Sequence, residues 1–429
     1  MSFPKYPEYK HTSVNWLEAT PESWNLLQGK RVFSQRKERT FSEDQQLAAS
    51  QVYGVIPQKK MMEMTGNKVM LALGGTNSFR RVAQDDFVIS LRSFEGGIEH
   101  SAYNGCVSPA YTVLAPNRTI HPWFYRYLLK SRPYVSALQA STDSLRDGKS
   151  ITFEQFGVIA LPYPSVSEQR QIARFLDHET AKIDTLIQEQ KRLIELLKEK
   201  RQALVLSAFS LSDSVETRLA NAVNLIYKPV SQKVDETYIP IGLFNRGRGL
   251  FHKDPRGIEE MGESDFFWVN DGDLIISGQF AWEGAVALAG EKEQGKVVSH
   301  RYPILRGKNG IVTTEYIFAL LTTRHGDFLL NENSRGAAGR NKPLNISALL
   351  KEKITIPAFS LQNKIVEIVH QERQIKAEAS RQKKLLLEHR AALISAAVTG
   401  KIDVRGWQPP AYESAFDEEI RQAEIKVTA

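Results

Sequence analysis

The sequence predicts two similar α/β (α+β) domains separated by long helices that pair as an antiparallel coiled coil. Three observations predict this. Two stretches, 166–209 and 361–399, contain neither glycine nor proline and repeat apolar residues every three or four positions. Two mixed stretches, before and between them, read as short β-branched strands, turns and a few helices. The second half of the chain also echoes the first at a spacing of roughly 190 residues, far too long for a solenoid and right for a duplicated domain-plus-helix unit. A length of 429 residues allows two or three domains, and we divide it as 1–160, 161–210, 211–356, 357–410 and an acidic tail, 411–429.

In the first domain, Asp86-Phe-Val-Ile-Ser reads as a strand and Pro122-Trp-Phe-Tyr-Arg-Tyr-Leu-Leu as a helix. Pro162 and Pro164 exclude an early start for the first long helix. Ser165 is expected to accept from the amide of Glu168, whose carboxylate reaches back to the Ser165 amide as a capping box. Its apolar seam runs through Ile172, Leu176, Ile183, Leu186, Leu193, Leu197 and Leu204, with Glu179, Gln190 and Lys200 interrupting it. The second helix repeats the pattern through Ile365, Ile368, Ile375, Ala379, Leu386, Leu393 and Ala396, interrupted by Glu372, Gln382 and His389. Ser360 is its expected cap and Gly400 its left-handed terminator. At 1.5 Å per residue each helix runs on the order of 55 Å, longer than a small domain, so each needs a partner for its seam. Gln190 and Gln382 on those seams would fix the pairing register.

The internal echo is ordered. Asp86-Phe-Val-Ile-Ser matches Asp273-Leu-Ile-Ile-Ser, Ser108-Pro-Ala-Tyr-Thr-Val-Leu matches Ser299-His-Arg-Tyr-Pro-Ile-Leu, and Pro122–Leu129 matches Thr314–Leu321. Asp143–Ile151 then matches Asn333–Asn341 in position, and Arg201-Gln-Ala-Leu matches Arg390-Ala-Ala-Leu. Packed antiparallel, such helices would relate the two domains by an approximate two-fold axis. That is the geometry used against duplex DNA, whose half-sites recur about 34–36 Å apart.

Charge tolerates a polyanionic partner without proving one. Lys and Arg total 56 against 49 Asp and Glu, a net +7. The excess sits in residues 1–160, with 19 cations to 14 acids, and in 357–410, with 9 to 5, whereas 211–356 balances at 18 each. The single cysteine, Cys106, excludes an intrachain disulfide or a multi-cysteine zinc site and reads as a small buried hydrophobe. Met1-Ser-Phe-Pro-Lys-Tyr-Pro lacks the layout of a signal peptide, and no run approaches the roughly 18 apolar residues of a membrane span.

Catalytic motifs are missing. Gly247-Arg-Gly249 lacks the third glycine of a dinucleotide loop, and Asp143 replaces the first glycine required for Asp147-Gly-Lys-Ser to be a phosphate loop. No His-Glu-x-x-His occurs, nor the Asp/Asn-Pro-Pro-Tyr motif of an amino-methylating enzyme. The triplets Glu8-Tyr-Lys10 and Glu189-Gln-Lys191 read as solvated charges rather than a nuclease site.

The chain resembles the specificity subunits of type I restriction-modification enzymes. The resemblance rests on Leu161-Pro-Tyr-Pro-Ser-Val-Ser-Glu-Gln-Arg-Gln-Ile172 running into Phe175-Leu-Asp, on Lys200-Arg-Gln-Ala-Leu, on Ile356-Pro, and on His389-Arg-Ala-Ala-Leu-Ile-Ser-Ala-Ala-Val-Thr-Gly-Lys-Ile-Asp403, with Pro21-Glu-Ser-Trp24 as an opening. Pro357-Ala-Phe-Ser-Leu-Gln-Asn-Lys departs from the first pattern. The resemblance implies a non-enzymatic, DNA-binding subunit of a cytoplasmic bacterial or archaeal complex, with two target-recognition domains that each read one half of a bipartite duplex target. Its implied partners are two methylation subunits, which carry S-adenosylmethionine, and restriction subunits, which use ATP and Mg; no cofactor is implied on this chain. A coiled-coil scaffold or an RNA-binding adaptor is the alternative.

Base reading needs forked donors for guanine, amides for adenine and cations for phosphate. In the first domain these point to Arg80 and Arg81, to Arg92 and Ser93 in Arg92-Ser-Phe-Glu-Gly-Gly, and to Arg146 and Lys149. In the second they point to Gln279 and Trp282 in Gln279-Phe-Ala-Trp282, and to Arg335, Arg340, Asn341 and Lys342 in a glycine-containing segment that permits close backbone approach.

Overall fold

The computed structural model describes residues 3–66, 76, 78–141, 151–231, 236–262, 264–334, 336 and 342–410. The expected acidic tail, 411–429, lies outside them. The chain forms two compact units, Met1–Leu186 with Gln382–Ala429, and Ile187–Arg381. Each unit therefore holds one α/β domain and part of both long helices, Val166–Ser207 and Phe359–Val398. Among the described residues no helix is long and apolar enough to cross a membrane.

The first domain is built on a four-stranded antiparallel sheet in the order Phe33–Gln35, Thr112–Pro116, Phe87–Ile89, Glu99–His100. Helices Pro122–Leu128 and Arg132–Ala140 follow it. Strand Asn25–Gln28 pairs antiparallel with Ala160–Tyr163, so the start of the domain is stitched to the segment that enters the first long helix. The second domain repeats this plan. Its sheet runs Val223–Ile226, Ile304–Gly307, Leu274–Ile276, Val286–Leu288, its helices are Thr314–Leu321 and Arg324–Glu332, and Val215–Arg218 pairs with Lys353–Ile356.

The echo in the sequence is thus an echo of topology. Asp86 and Asp273 are both buried before the equivalent strands, and each accepts the amide three residues back, from Ala83 and Asn270, at 2.7 Å. Each also takes a guanidinium, from Arg36 at 2.6 Å in one copy and from Arg306 in the other. Arg36 follows one edge strand while Arg306 lies on the strand beside it, so the two copies meet the same buried carboxylate from different neighbours. The turns Ser108–Tyr111 and Ser299–Tyr302 close with the same 3.0 Å backbone bond. The matched segments 143–151 and 333–341 lie mostly outside the described residues.

The second long helix keeps its expected apolar seam buried or half-buried, but the first does not bury its seam throughout as the heptad reading expects. Ile172, Leu176 and Ile183 are buried, but Leu186 and Leu193 are 47% and 45% exposed, and burial passes instead to Ile187, Arg201, Val205 and Ala208. A strict heptad has period 3.5 and an undistorted helix 3.6, so the buried stripe slips one residue forward along this length. The helix ends, moreover, pack into domain cores. Ile172, Phe175 and Leu176, with Leu393, Ala397 and Val398, join the core of Trp24, Phe33, Phe124 and Tyr125 in the first unit. Val205 and Ala208, with Leu361, Ile365 and Val369, join Leu274, Tyr316 and Leu320 in the second. Ion pairs add to these contacts, Asp184 with Arg390 at 2.9 Å in the first unit and Arg201 with Glu372 at 3.5 Å in the second.

The helix termini correct two further expectations. Ser165 Oγ accepts from the Glu168 amide at 3.2 Å, but the Glu168 carboxylate turns into the domain, where Tyr6 Oη and Trp24 Nε1 donate to it. Ser360 does not cap the second helix. It already lies in the first turn, and Ala358 occupies the place of Ser165, with its carbonyl taking the Leu361 and Gln362 amides. Gly400 ends that helix with φ +75°, and an added Cβ there would stand 2.4 Å from Pro21 Cδ, so glycine is required on both counts.

Candidate nucleic-acid interface

In the second domain the structure brings several predicted residues together. Trp282 lies on the turn Ala281–Glu283, packed against helix Arg324–Glu332, and the Lys342 ammonium sits over its ring at 5.1 Å from the centroid. Exposed Gln279 precedes it on the same loop. Leu344 donates its amide to the Gly278 carbonyl at 2.8 Å, which holds the segment after Lys342 against that loop. Trp282 is both wall and surface, because it is half-buried and its Nε1 is buried without a hydrogen-bond partner. Arg335, Arg340 and Asn341 lie outside the described residues.

Two further arginines belong here. The tip of the hairpin formed by Ile241–Phe244 and Gly249–His252 carries Arg246 and Arg248, both exposed. Arg246 and Gly247 donate their amides to the Glu283 and Gly284 carbonyls, each at 2.8 Å, so the tip is fastened to the turn that carries Trp282. Arg246 is held at φ +60°, a left-handed conformation that a side chain rarely adopts. Arg246, Arg248 and Trp282 line one cavity of about 910 Å³ with Lys198, Arg201 and Asp327. The signal in the sequence was Arg246-Gly-Arg248, which a search for a dinucleotide loop tests only for its glycines. Glu195, Glu283 and Glu372 line the same cavity, so its cations sit beside carboxylates and the local excess of positive charge is small.

The first domain carries its predicted residues on different elements. Arg80 and Arg81 lie on strand Arg80–Val82, paired with Gly105–Val107. Arg81 donates to Glu38 at 3.0 Å and stacks on Phe41 at 4.2 Å from the ring centroid, while Arg36 holds the other oxygen of Glu38 at 2.9 Å. These guanidinium bonds, that of Arg81 foremost, draw the Glu38 carboxyl below its usual range. Arg92 is exposed at the start of helix Ser93–Gly96, with its carbonyl taken by Gln51 at 3.3 Å. Ser93 is buried and accepts the Ser90 amide at 2.8 Å, so its hydroxyl holds the loop together rather than facing a ligand. Arg146 and Lys149 lie outside the described residues. Arg92 and Gln279 occupy equivalent places, each following the strand that the repeat superposes.

Two glutamines in the segments that carry the resemblance had no role readable from sequence. Gln169 accepts the His121 amide at 2.8 Å and donates to the Pro164 carbonyl at 2.9 Å. Gln362 accepts the Thr313 amide at 2.8 Å and donates to the Pro357 carbonyl at 2.9 Å. The signal was the shared Pro-x-x-x-x-Gln, obscured because Glu168 in one copy is Leu361 in the other.

Comparison with known proteins follows the same lines. No family model matches the chain. An alignment of 156 residues, 34% of this chain, is 28% identical to the type I restriction enzyme StySPI specificity subunit of Salmonella potsdam, and it spans 32% of that relative's length. A chain from a structure described as the structural basis underlying complex assembly and conformational transition of the type I R-M system aligns over 88% of this chain and 98% of itself, with a TM-score of 0.53 and 15% identity. The HsdS subunit from Thermoanaerobacter tengcongensis aligns over 91% of this chain and 100% of itself, at 17% identity and a TM-score of 0.47. At 15% identity the first structure establishes a common fold. The chain is thus similar to a type I restriction specificity subunit over about a third of its length, and it shares the fold of a chain from a type I R-M system.

Proposed function

We propose that the chain reads DNA without acting on it, each domain recognising one half of a bipartite duplex target and so directing adenine methylation or restriction by partner subunits. The observation that carries this is the duplication itself. Two domains of one topology, each docked on a long helix at the same place, suit two readings of one duplex better than one active site. Two methylation subunits bearing S-adenosylmethionine would supply the chemistry, and restriction subunits using ATP and Mg would add cleavage. The chain would bind no cofactor and would work in the cytoplasm of a bacterium or archaeon.

In the second domain we assign Lys342, Arg246 and Arg248 to phosphate contacts, while Gln279 has the amide suited to an adenine edge. In the first, Arg81 offers a fork oriented by Glu38 and Phe41, and Arg92 is the exposed counterpart of Gln279. Duplex binding by the chain assembled with its methylation subunits tests the second-domain set. Arg248→Ala with Lys342→Ala is expected to weaken binding across sequences and to reduce the slope of log affinity against log salt by about 2, one for each lost phosphate contact. An unchanged slope with intact assembly would remove these residues from the interface.

A further inference from the structure

We propose that Gln169 and Gln362 are positioning residues that set the number of base pairs between the two halves of the target, an inference that rests on the reading of the chain as a two-domain DNA reader. Each side-chain amide joins three structural parts. Its own backbone belongs to the first turns of a long helix. Its oxygen accepts the amide of the residue that opens a domain helix, His121 before Pro122–Leu128 or Thr313 before Thr314–Leu321. Its nitrogen donates to the proline that ends the connection from the last strand of the domain, Pro164 or Pro357.

The two clamps agree to within 0.1 Å in both bonds, although the helix starts around them differ in capping residue and in the presence of Glu168. Gln169 and Gln362 are 0% and 1% exposed, so water does not compete for either bond. The glutamine amide supplies both a neutral acceptor and an N–H donor on one carbon at this reach. Glutamate at the position has no N–H, and asparagine is one methylene short.

The consequence for reading is geometric. Each domain also meets its long helix through apolar packing, which is non-directional and leaves small rotations about the connection open. A swing of ~10° over roughly 20 Å of domain carries a side chain ~3.5 Å, about one base-pair step. Fixing each domain helix to its long helix by a buried two-bond clamp suppresses that swing. The gap between half-sites then has one value instead of a range.

The test uses the full chain assembled with its methylation subunits and a plasmid library in which the gap between the two target halves varies by one and two base pairs. Methylation is read by sequencing. The unaltered complex should modify one gap length. Gln169→Leu and, separately, Gln362→Leu should each raise methylation at neighbouring gaps at least tenfold relative to the preferred gap, with Gln169→Asn and Gln362→Asn giving smaller increases in the same direction. Leu114→Ala, which hollows the first domain's core without touching a clamp, should lower yield and leave the gap preference unchanged. Asn or Leu variants that methylate with an unchanged gap preference would overturn the proposal, as would equal broadening by Leu114→Ala. If the Leu variants do not assemble, the Asn variants decide. Failure of the unaltered complex to recognise any split target would instead overturn the underlying reading.

Discussion

Trp24 donates its indole N–H to the carboxylate of Glu168 at 2.9 Å, across 144 residues of chain. Tyr6 donates its hydroxyl to the same oxygen at 2.7 Å, and all three side chains are buried. The opening segment is thereby fastened to the first turn of the long helix. In the second unit, buried Leu361 stands where Glu168 stands here.

Glu168→Leu therefore should not reproduce the second copy. It strands two buried donors, each costing about 1–3 kcal/mol, so unfolding by urea should show a loss of about 2–6 kcal/mol. Adding Tyr6→Phe and Trp24→Phe removes the stranded donors and should restore part of that loss, because a matched set of apolar groups is far less costly than an orphaned polar one. A triple variant as destabilised as the sum of its parts would show that the carboxylate is not the common partner.

Arg201 and Glu372 form a buried pair whose side chains are 4% and 5% exposed. Burial lowers the affinity of Arg201 for its proton, and Glu372 offsets this only in part. Glu372 also takes Lys376 at 2.6 Å, so one carboxylate serves two cations. Glu372→Leu alone should destabilise the second unit by about 3–5 kcal/mol by leaving Arg201 buried without an anion, while Arg201→Met with Glu372→Leu should come within about 1–2 kcal/mol of the parent. Amide exchange across Val205–Ala208 and Leu361–Val369 reports this unit. A double variant no better than Glu372→Leu would show that packing, rather than the stranded charge, sets the cost.

His100 gives the first domain a pH dependence. It is buried between the rings of Phe87 and Trp123, with Asp85 at 2.9 Å, and burial outweighs Asp85 to push its pKa below the ordinary 6.5. The folded state then binds fewer protons than the unfolded one, so stability is fully present above about pH 6.5 and falls as pH drops from there toward the folded pKa. The slope contributed is at most about 1.4 kcal/mol per pH unit. His121 is shifted in the same direction, so the difference between parent and His100→Gln isolates His100. The variant's melting temperature should fall less between pH 6.5 and 5.5, and identical slopes would contradict the assignment.

The features most legible in the sequence were those repeated in it. Asp86 and Asp273, the two serine-to-tyrosine turns and the glycine-free helices each occur twice, and repetition separates a rule of the fold from a local accident. What escaped was set by tertiary contact. The heptad template assigns Leu186 and Leu193 to the seam because it fixes the period at 3.5, whereas the structure keeps nearer 3.6 and uses Ile187 and Arg201. Glu168 looks like half of a capping box until Trp24 and Tyr6, far away in the chain, claim it. Ser93 has a suitable chemistry for a base contact, and only its bond to the Ser90 amide shows that the hydroxyl is already committed. Arg246 and Arg248 are brought beside Trp282 by backbone bonds from Arg246 and Gly247 to its turn, a long-range contact that no local pattern encodes.

The central claim is that two domains of one chain read two halves of one target. Its most direct measurement is a map of methylated adenines in cells carrying the chain with its methylation subunits, beside cells carrying Arg248→Ala and Lys342→Ala. The predicted map shows two short specified blocks separated by a fixed run of unspecified bases, with the double variant losing occupancy while the adenines modified stay the same. A contiguous target, or methylation that persists unchanged without this chain, would contradict it.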